Sequence, residues 1–208
     1  MATSSKSEPD EVGLRERKKL KTRTAIQENA LRLFREQGYA ATSVEQIAAA
    51  VEISPRTFFR YFPTKEDVIL FDATDPLLFA AFDAQPPELN VIDALRGAYR
   101  EVNNRLSAAE RAREQERLRL VRGVPELRTK MLGDFMGNID LVAGMVAQRV
   151  GRPADDVAVR TFSGALLGVL LGVLLTVDES GTLDYDELLE QALTQLQAGW
   201  PQGRQPAQ

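Results

Sequence analysis

Residues 42–69 read TSVEQIAAAVEISPRTFFRYFPTKEDVI. Three short apolar-sided runs follow one another here, each introduced by Ser or Thr. Such residues favour the position before a helix, because their side-chain oxygen accepts an otherwise orphaned backbone N–H. Thr42 with Glu45 three residues on reads as a capping box and predicts a helix over about 43–50. Ser54 caps a second helix, and Pro55 takes its first position, where a missing N–H costs nothing. Pro63 ends that helix, because the residue before a proline is pushed out of the helical region. Thr64 opens a third, with Glu66 and Asp67 in its first turn. The first two, joined by the short link 51–53, fit a helix-turn-helix.

The second of these helices is two-sided. At 100° per residue Phe58 and Phe62 share one face, and Arg56 and Arg60 share another, rotated by about 160°. One side can wedge into a core while the other presents two guanidiniums. Arginine on an exposed helix face fits the major groove of DNA, where it bonds guanine through two donors. An ordinary helical hairpin with a solvated basic face fits the same pattern. Lys65, in the first turn of the next helix, stands where free N–H groups favour anions.

Working outward, residues 17–37 form an apolar stripe of Ile26, Ala30, Leu33 and Phe34, and Gly38 is a natural stop. The lead of this helix, RERKKLKTR, holds six basic residues and one acid, and is placed to meet a further phosphate or a minor groove. Downstream, helical spacing recurs at 77–83, 92–106, 132–146, 157–177 and 185–198, with no strand alternation. Acids and arginines paired at helical spacing over 110–122 read as a solvated face.

Composition narrows the function. The chain has 208 residues, no cysteine and no histidine, which excludes thiolate chemistry, zinc–thiolate sites and the commonest general base. No metal site or cofactor is expected. The net charge of −4 hides an asymmetry: residues 1–62 carry 11 basic and 8 acidic side chains, so the remainder is strongly acidic. A polyanion would dock at the basic front. TFSGALLGVLLGVLLTV, residues 161–177, is uncharged and at the lower edge of the ~17–25 residues a membrane span needs. Its isolation, its PADD lead and the lack of an aromatic belt favour a buried or subunit-interface helix.

LRLFREQGYAATSVEQIAAAVEISPRTFFRYFPTKEDVI resembles the DNA-binding domain of the TetR (tetracycline repressor) family of bacterial transcription regulators. The matching parts are F-x-x-x-G-Y-x-x-T-S, I-A-x-x-V, S-x-x-T-F-F-x-Y-F and T-K-E-D, within about residues 17–70. The resemblance implies an all-α fold, an N-terminal helix-turn-helix domain followed by a helical ligand-binding and dimerisation domain. It places Thr42, Ser43 and Val44 near the DNA backbone, and Ser54, Pro55, Arg56 and Thr57 at the opening of the recognition helix. Phe59, Arg60 and Tyr61 continue that helix, and Lys65 clamps a phosphate. Phe59 stands where the family usually has tyrosine, and Tyr61 where it often has histidine.

The expected organisation is a disordered tail over 1–14, the helix-turn-helix domain over 15–62 and a connecting helix over 63–73. An effector-binding and dimerisation domain follows over 74–199, with a tail over 200–208. The resemblance implies a homodimer built on the last two long helices. Gly164, Gly168 and Gly172 would form its smooth stripe, joined by Leu188, Leu189, Ala192 and Leu196. It also implies a pocket for a small-molecule effector, with Phe79, Phe82, Tyr99, Asn103, Met131, Phe135 and Met136 as candidates. The expected protein is a cytoplasmic, non-membrane repressor of a near-palindromic DNA operator, released by the effector. Two other readings fit less of the sequence: a helical carrier or enzyme using the rear pocket, and a protein held in a membrane by 161–177.

Overall fold

The computed structural model describes residues 8–176 and 185–199, with side chains from Leu14 onward except Met136. The expected tail over 200–208 lies outside them, as does the side chain of Met136. The described residues form α1 (Glu8–Gln37), α2 (Val44–Ala50), α3 (Pro55–Tyr61), α4 (Lys65–Leu70), α5 (Asp75–Asp83), α6 (Val91–Arg105), α7 (Ala108–Gly123), α8 (Pro125–Val150), α9 (Val157–Thr176) and α10 (Tyr185–Ala198). They divide into two compact units, one of residues up to 73 with 112–127, the other of 74–111 with the residues from 128 onward.

α1 begins at Glu8, so residues 8–14 of the expected tail are helical. Pro9 falls in the first turn, where it is tolerated, and Leu, Arg, Glu and Lys of high helix propensity follow. The capping box of α2 is Ser43 with Gln46, one position later than Thr42 with Glu45. Thr42 is turned inward instead: its hydroxyl donates to the Gly38 carbonyl at 2.8 Å. The connecting helix is also shorter than expected. α4 stops at Leu70, where Phe71 turns to extended backbone, φ −64° and ψ 119°, as the C-cap.

The first unit closes on one core. Ile26, Ala30 and Phe34 of α1 meet Ile47 of α2, Phe58 and Phe62 of the α3 region, and Val68 and Ile69 of α4, all buried. Full burial of each large apolar side chain contributes about 1.5–3 kcal/mol. The later part of α7 joins this unit through Arg117, which is 8% exposed. Its guanidinium donates to the Ile69 carbonyl at 3.1 Å and to Asp72 at 3.0 Å, and pairs with Glu114. Arg113 pairs with Glu28. The segment 110–122 is therefore not wholly a solvated face.

In the second unit, α5 packs on α6 and α9 on α10 around Phe82, Ile92, Leu95, Val146 and Leu166. Gly97 leaves room for the Gln85 amide beside α6: a Cβ there would lie 2.2 Å from Gln85 Oε1, and that side chain would have to shift. Arg149 of α8 donates to the carbonyls of Phe82, Gln85, Pro86 and Leu89 at 2.9–3.1 Å, gathering the end of α5 and the turn after it. α9 is long and apolar enough to cross a membrane by length and composition.

Candidate nucleic-acid interface

α2 and α3 are joined by a turn at Val51–Ile53, in which Glu52 adopts a φ of 55°. That left-handed conformation is uncommon without glycine and breaks the path between the helices sharply. The Ile53 N–H returns to the Ala48 carbonyl at 3.0 Å and closes the turn. Ser54 then accepts from the Thr57 N–H at 3.1 Å, and the Ser54 and Thr57 hydroxyls bond each other at 2.9 Å.

α3 divides as its spacing predicts. Phe58 and Phe62 are fully buried, and their rings pack in sequence with Phe71 in tilted and edge-on contacts. Pro55, Arg56, Phe59 and Arg60 are exposed, and Thr57 and Tyr61 are half-buried. Phe59 leaves half its surface open. The Arg60 guanidinium lies 5.4 Å from the centre of the Tyr61 ring. Ser43 is exposed at the start of α2 and Val44 half-buried, whereas Thr42 is only 2% exposed. Thr42 braces the loop; its side chain does not offer a surface.

Lys65 is engaged within the unit. Its Nζ donates to the carbonyls of Tyr39 and Thr42 at 2.9 and 3.1 Å and sits 4.1 Å from the centre of the Tyr39 ring. The Tyr39 hydroxyl donates to Glu66 Oε1 at 2.7 Å. Adjacent residues of α4 thus clasp Tyr39 and fix the loop that leads into α2. Burial, then the bond to Glu66, pushes the Tyr39 hydroxyl well above its ordinary pKa. Burial would also raise the Glu66 carboxyl, but hydrogen bonds from Tyr39, backbone N–H and Thr64, with the nearby Lys65 charge, hold it below the ordinary carboxylate range. Two further supports escape periodicity arguments. Gln27 Nε2, buried, donates to Val68 and Phe71 carbonyls at the end of α4. Arg23 lies over the Phe62 and Phe71 rings at 4.9 and 4.4 Å. A polar residue beside the α1 stripe was the available signal for Gln27; Arg23 carried none.

This arrangement has relatives. Residues 26–70 match the family profile of bacterial regulatory proteins of the tetR family, and residues 89–201 match that of the MftR C-terminal domain. The chain is 31% identical over 148 residues to the putative mycofactocin biosynthesis transcriptional regulator MftR of Mycobacterium tuberculosis, covering 70% of this chain and 74% of that protein. The chain belongs to the TetR family of bacterial transcription regulators. It is also 39% identical over 160 residues to the transcriptional regulator TcmR of Streptomyces glaucescens, covering 74% of this chain and 71% of that one. Among solved structures it resembles Thermus thermophilus FadR, a TetR-family repressor held in complex with lauroyl-CoA. That likeness has a TM-score of 0.52 and 25% identity, over 89% of this chain and 98% of FadR. This TetR-family protein is a DNA-binding regulator and not an enzyme, with DNA and a second copy of itself as its general partners.

The second unit separates the remaining candidates. Phe82 is buried in the core, under the Arg149 guanidinium at 4.8 Å. Tyr99 and Asn103 line a cavity of about 400 Å³, where Asn103 donates to Asp186 at 3.0 Å. Phe79, Met131 and Phe135 are half-buried and line neither this cavity nor a second one of about 560 Å³. That second cavity, bounded by Val91, Ile92, Val146, Val159 and Phe162, was not anticipated. Its wall comes from four separate parts of the chain, which no local pattern brings together. Of the seam candidates, Leu189 is only 2% exposed within its own chain. Leu188, Ala192 and Leu196 are partly buried against the same core. A Cβ at Gly164 would lie 3.6 Å from Ile139 of α8, whereas one at Gly168 or Gly172 would meet nothing within 4 Å.

Proposed function

We propose that this regulator is a repressor which binds a near-palindromic operator as a homodimer and leaves it when a small molecule binds the second unit. The observation that carries this reading is the two-sided α3: two phenylalanines wholly buried, and Arg56 and Arg60 exposed on the opposite side. Each subunit places α3 in a major groove, with half-sites about one helical turn, ~34–36 Å, apart or a multiple of it. Arg56 and Arg60 read base edges. Ser54, Pro55, Thr57, Phe59 and Tyr61 line the groove, and Ser43 and Val44 approach the backbone. Thr42 and Lys65 act at one remove, by fixing the loop that precedes α2. Lys65 retains one of its three donors for a phosphate.

The apolar wall of the 560 Å³ cavity supports an apolar or amphipathic effector. The lauroyl-CoA of FadR makes acyl thioesters the first compounds to try. The effector shifts the operator equilibrium only by its differential affinity for the two states. The regulator works in the cytoplasm, where the operator lies.

The test is selection of bound fragments from the source genome, followed by titration of the recovered duplex with Arg56→Ala and Arg60→Ala. Each variant is expected to keep its fold and lose about 1–3 kcal/mol of discrimination. Unchanged affinity in both removes α3 from the reading role.

A further inference from the structure

The exposed side of α3 carries two strips. Arg56 and Arg60 stand one turn apart, about 40° around the helix, and form the first. Pro55 and Phe59, also exposed and one turn apart, form the second, rotated by about 100° from the arginines. Single apolar residues are common on protein surfaces, so exposure alone says nothing. The place of this ring is what counts: it stands beside both arginines on the helix that shows them outward. The ring is also held. It meets Phe58 edge-on, with 5.5 Å between centroids and 88° between planes. Phe58 has no exposed surface and cannot give way, and half of Phe59 stays open beyond it.

Chemistry limits what that ring can meet in a major groove. A phenyl ring has no donor for a phosphate and neither donor nor acceptor for a base edge. Guanine, cytosine and adenine show only donors and acceptors there; thymine alone adds a methyl group, and phenylalanine packs on it. Cytosine in the same place presents an amino donor and no methyl. The ring would strip water from that donor without replacing its bond, which is unfavourable. Phe59 follows Arg56 by three residues, ~4.5 Å along the helix, a little more than the ~3.4 Å between successive base pairs. The methyl within its reach therefore lies about one or two base pairs from the base that Arg56 meets.

We propose that Phe59 is a specificity-determining residue that reads the 5-methyl group of one thymine in each operator half-site. The inference rests on the DNA-binding reading above and deepens it. The arginines select guanine by hydrogen bonds, and Phe59 selects thymine by apolar contact. Pro55, one turn earlier on the same strip, widens the apolar surface that the methyl meets.

The experiment uses the full chain and the duplex recovered by fragment selection. Each half-site thymine is replaced in turn by deoxyuridine, which keeps the base pairing and lacks only the methyl. Losing one buried methyl lowers affinity about fourfold, and one position in each half-site should show that loss. At that position 5-methylcytosine should bind better than cytosine. Phe59→Ala leaves Phe58 and Phe62 to hold the core, and should bind the thymine and deoxyuridine duplexes equally. Phe59→Leu should keep part of the preference. The scan on the parent needs no variant and decides first. A parent that binds the operator but ignores deoxyuridine at every position overturns the proposal and leaves the DNA-binding reading intact. An operator with no thymine in its half-sites does the same. A deoxyuridine loss that persists in Phe59→Ala also overturns it, since another residue would then meet the methyl. A parent that selects no fragment at all sinks both readings.

Discussion

α3 and α9 solve opposite problems. α3 has seven residues and hides every large apolar group but Phe59 inside its own unit. α9 has twenty, and leaves Val157 80% exposed, Leu175 50% exposed, and Gly168 and Gly172 facing open space. A helix that satisfies its apolar side alone and shows arginines outward is finished as a monomer and waits for a polar partner. A helix with apolar surface left over is unfinished, and the family's general homodimer supplies the kind of surface it lacks. The same chain thus carries a basic helix face and an apolar helix face that are chemically distinct, suited to different kinds of partner.

The strongest way to break this contrast is to empty the buried side of α3. Phe58→Ala removes a side chain with no exposed surface and should cost the first unit about 3–5 kcal/mol, read as a lower denaturant midpoint. A loss under ~1 kcal/mol would mean that α3 is not anchored as described. Next comes the open side of α9. Gly168→Leu adds a side chain where the described residues place nothing within 4 Å of its Cβ, so the monomer should tolerate it. If a second copy packs there, overpacking should weaken the dimer by about 1–3 kcal/mol, seen as a dilution-dependent fall in mass by light scattering. An unweakened dimer would move the seam elsewhere on the second unit.

How much of this was legible beforehand follows the same division. The first unit was readable because its signals are local: Ser54 and Pro55 start α3, Pro63 ends it, and Gly38, with a φ of 88°, stops α1. Even so, local rules misplaced one cap. Thr42 and Ser43 both suit the position, and tertiary structure chose between them by drawing the Thr42 hydroxyl to Gly38. Lys65 has a role within the unit that its position did not show. A lysine in a first turn reads as an anion site, but the loop carbonyls of Tyr39 and Thr42 reach it within its own unit. Arg117 was hidden completely, because nothing in a run of alternating charges marks the one arginine that meets Ile69 and Asp72. In the second unit, the spacing found the helices, but a cavity wall drawn from α6, α8, α9 and α10 has no signature in any one of them.

The smallest effect tests how the first unit holds its shape without a partner. Tyr39→Phe keeps the ring against Phe34, 5.1 Å between centroids, and under the Lys65 ammonium, but removes the hydroxyl bonded to Glu66. A hydrogen bond to a carboxylate of this exposure contributes about 1 kcal/mol. The sign with pH follows from Glu66. Its carboxyl is held below its ordinary value in the folded protein, against ~4.3 when unfolded. The stabilisation is therefore complete above pH ~4.3 and is lost as pH falls through the lower folded value. The difference in stability between Tyr39→Phe and the parent should be constant near neutrality and shrink below pH ~4. A difference that persists undiminished in acid would show that the ring, and not the bond to the carboxylate, holds the loop before α2. In that case the hydroxyl–carboxylate bond would be incidental, and the loop would be held by the Tyr39 ring and the Lys65 bonds to its carbonyls.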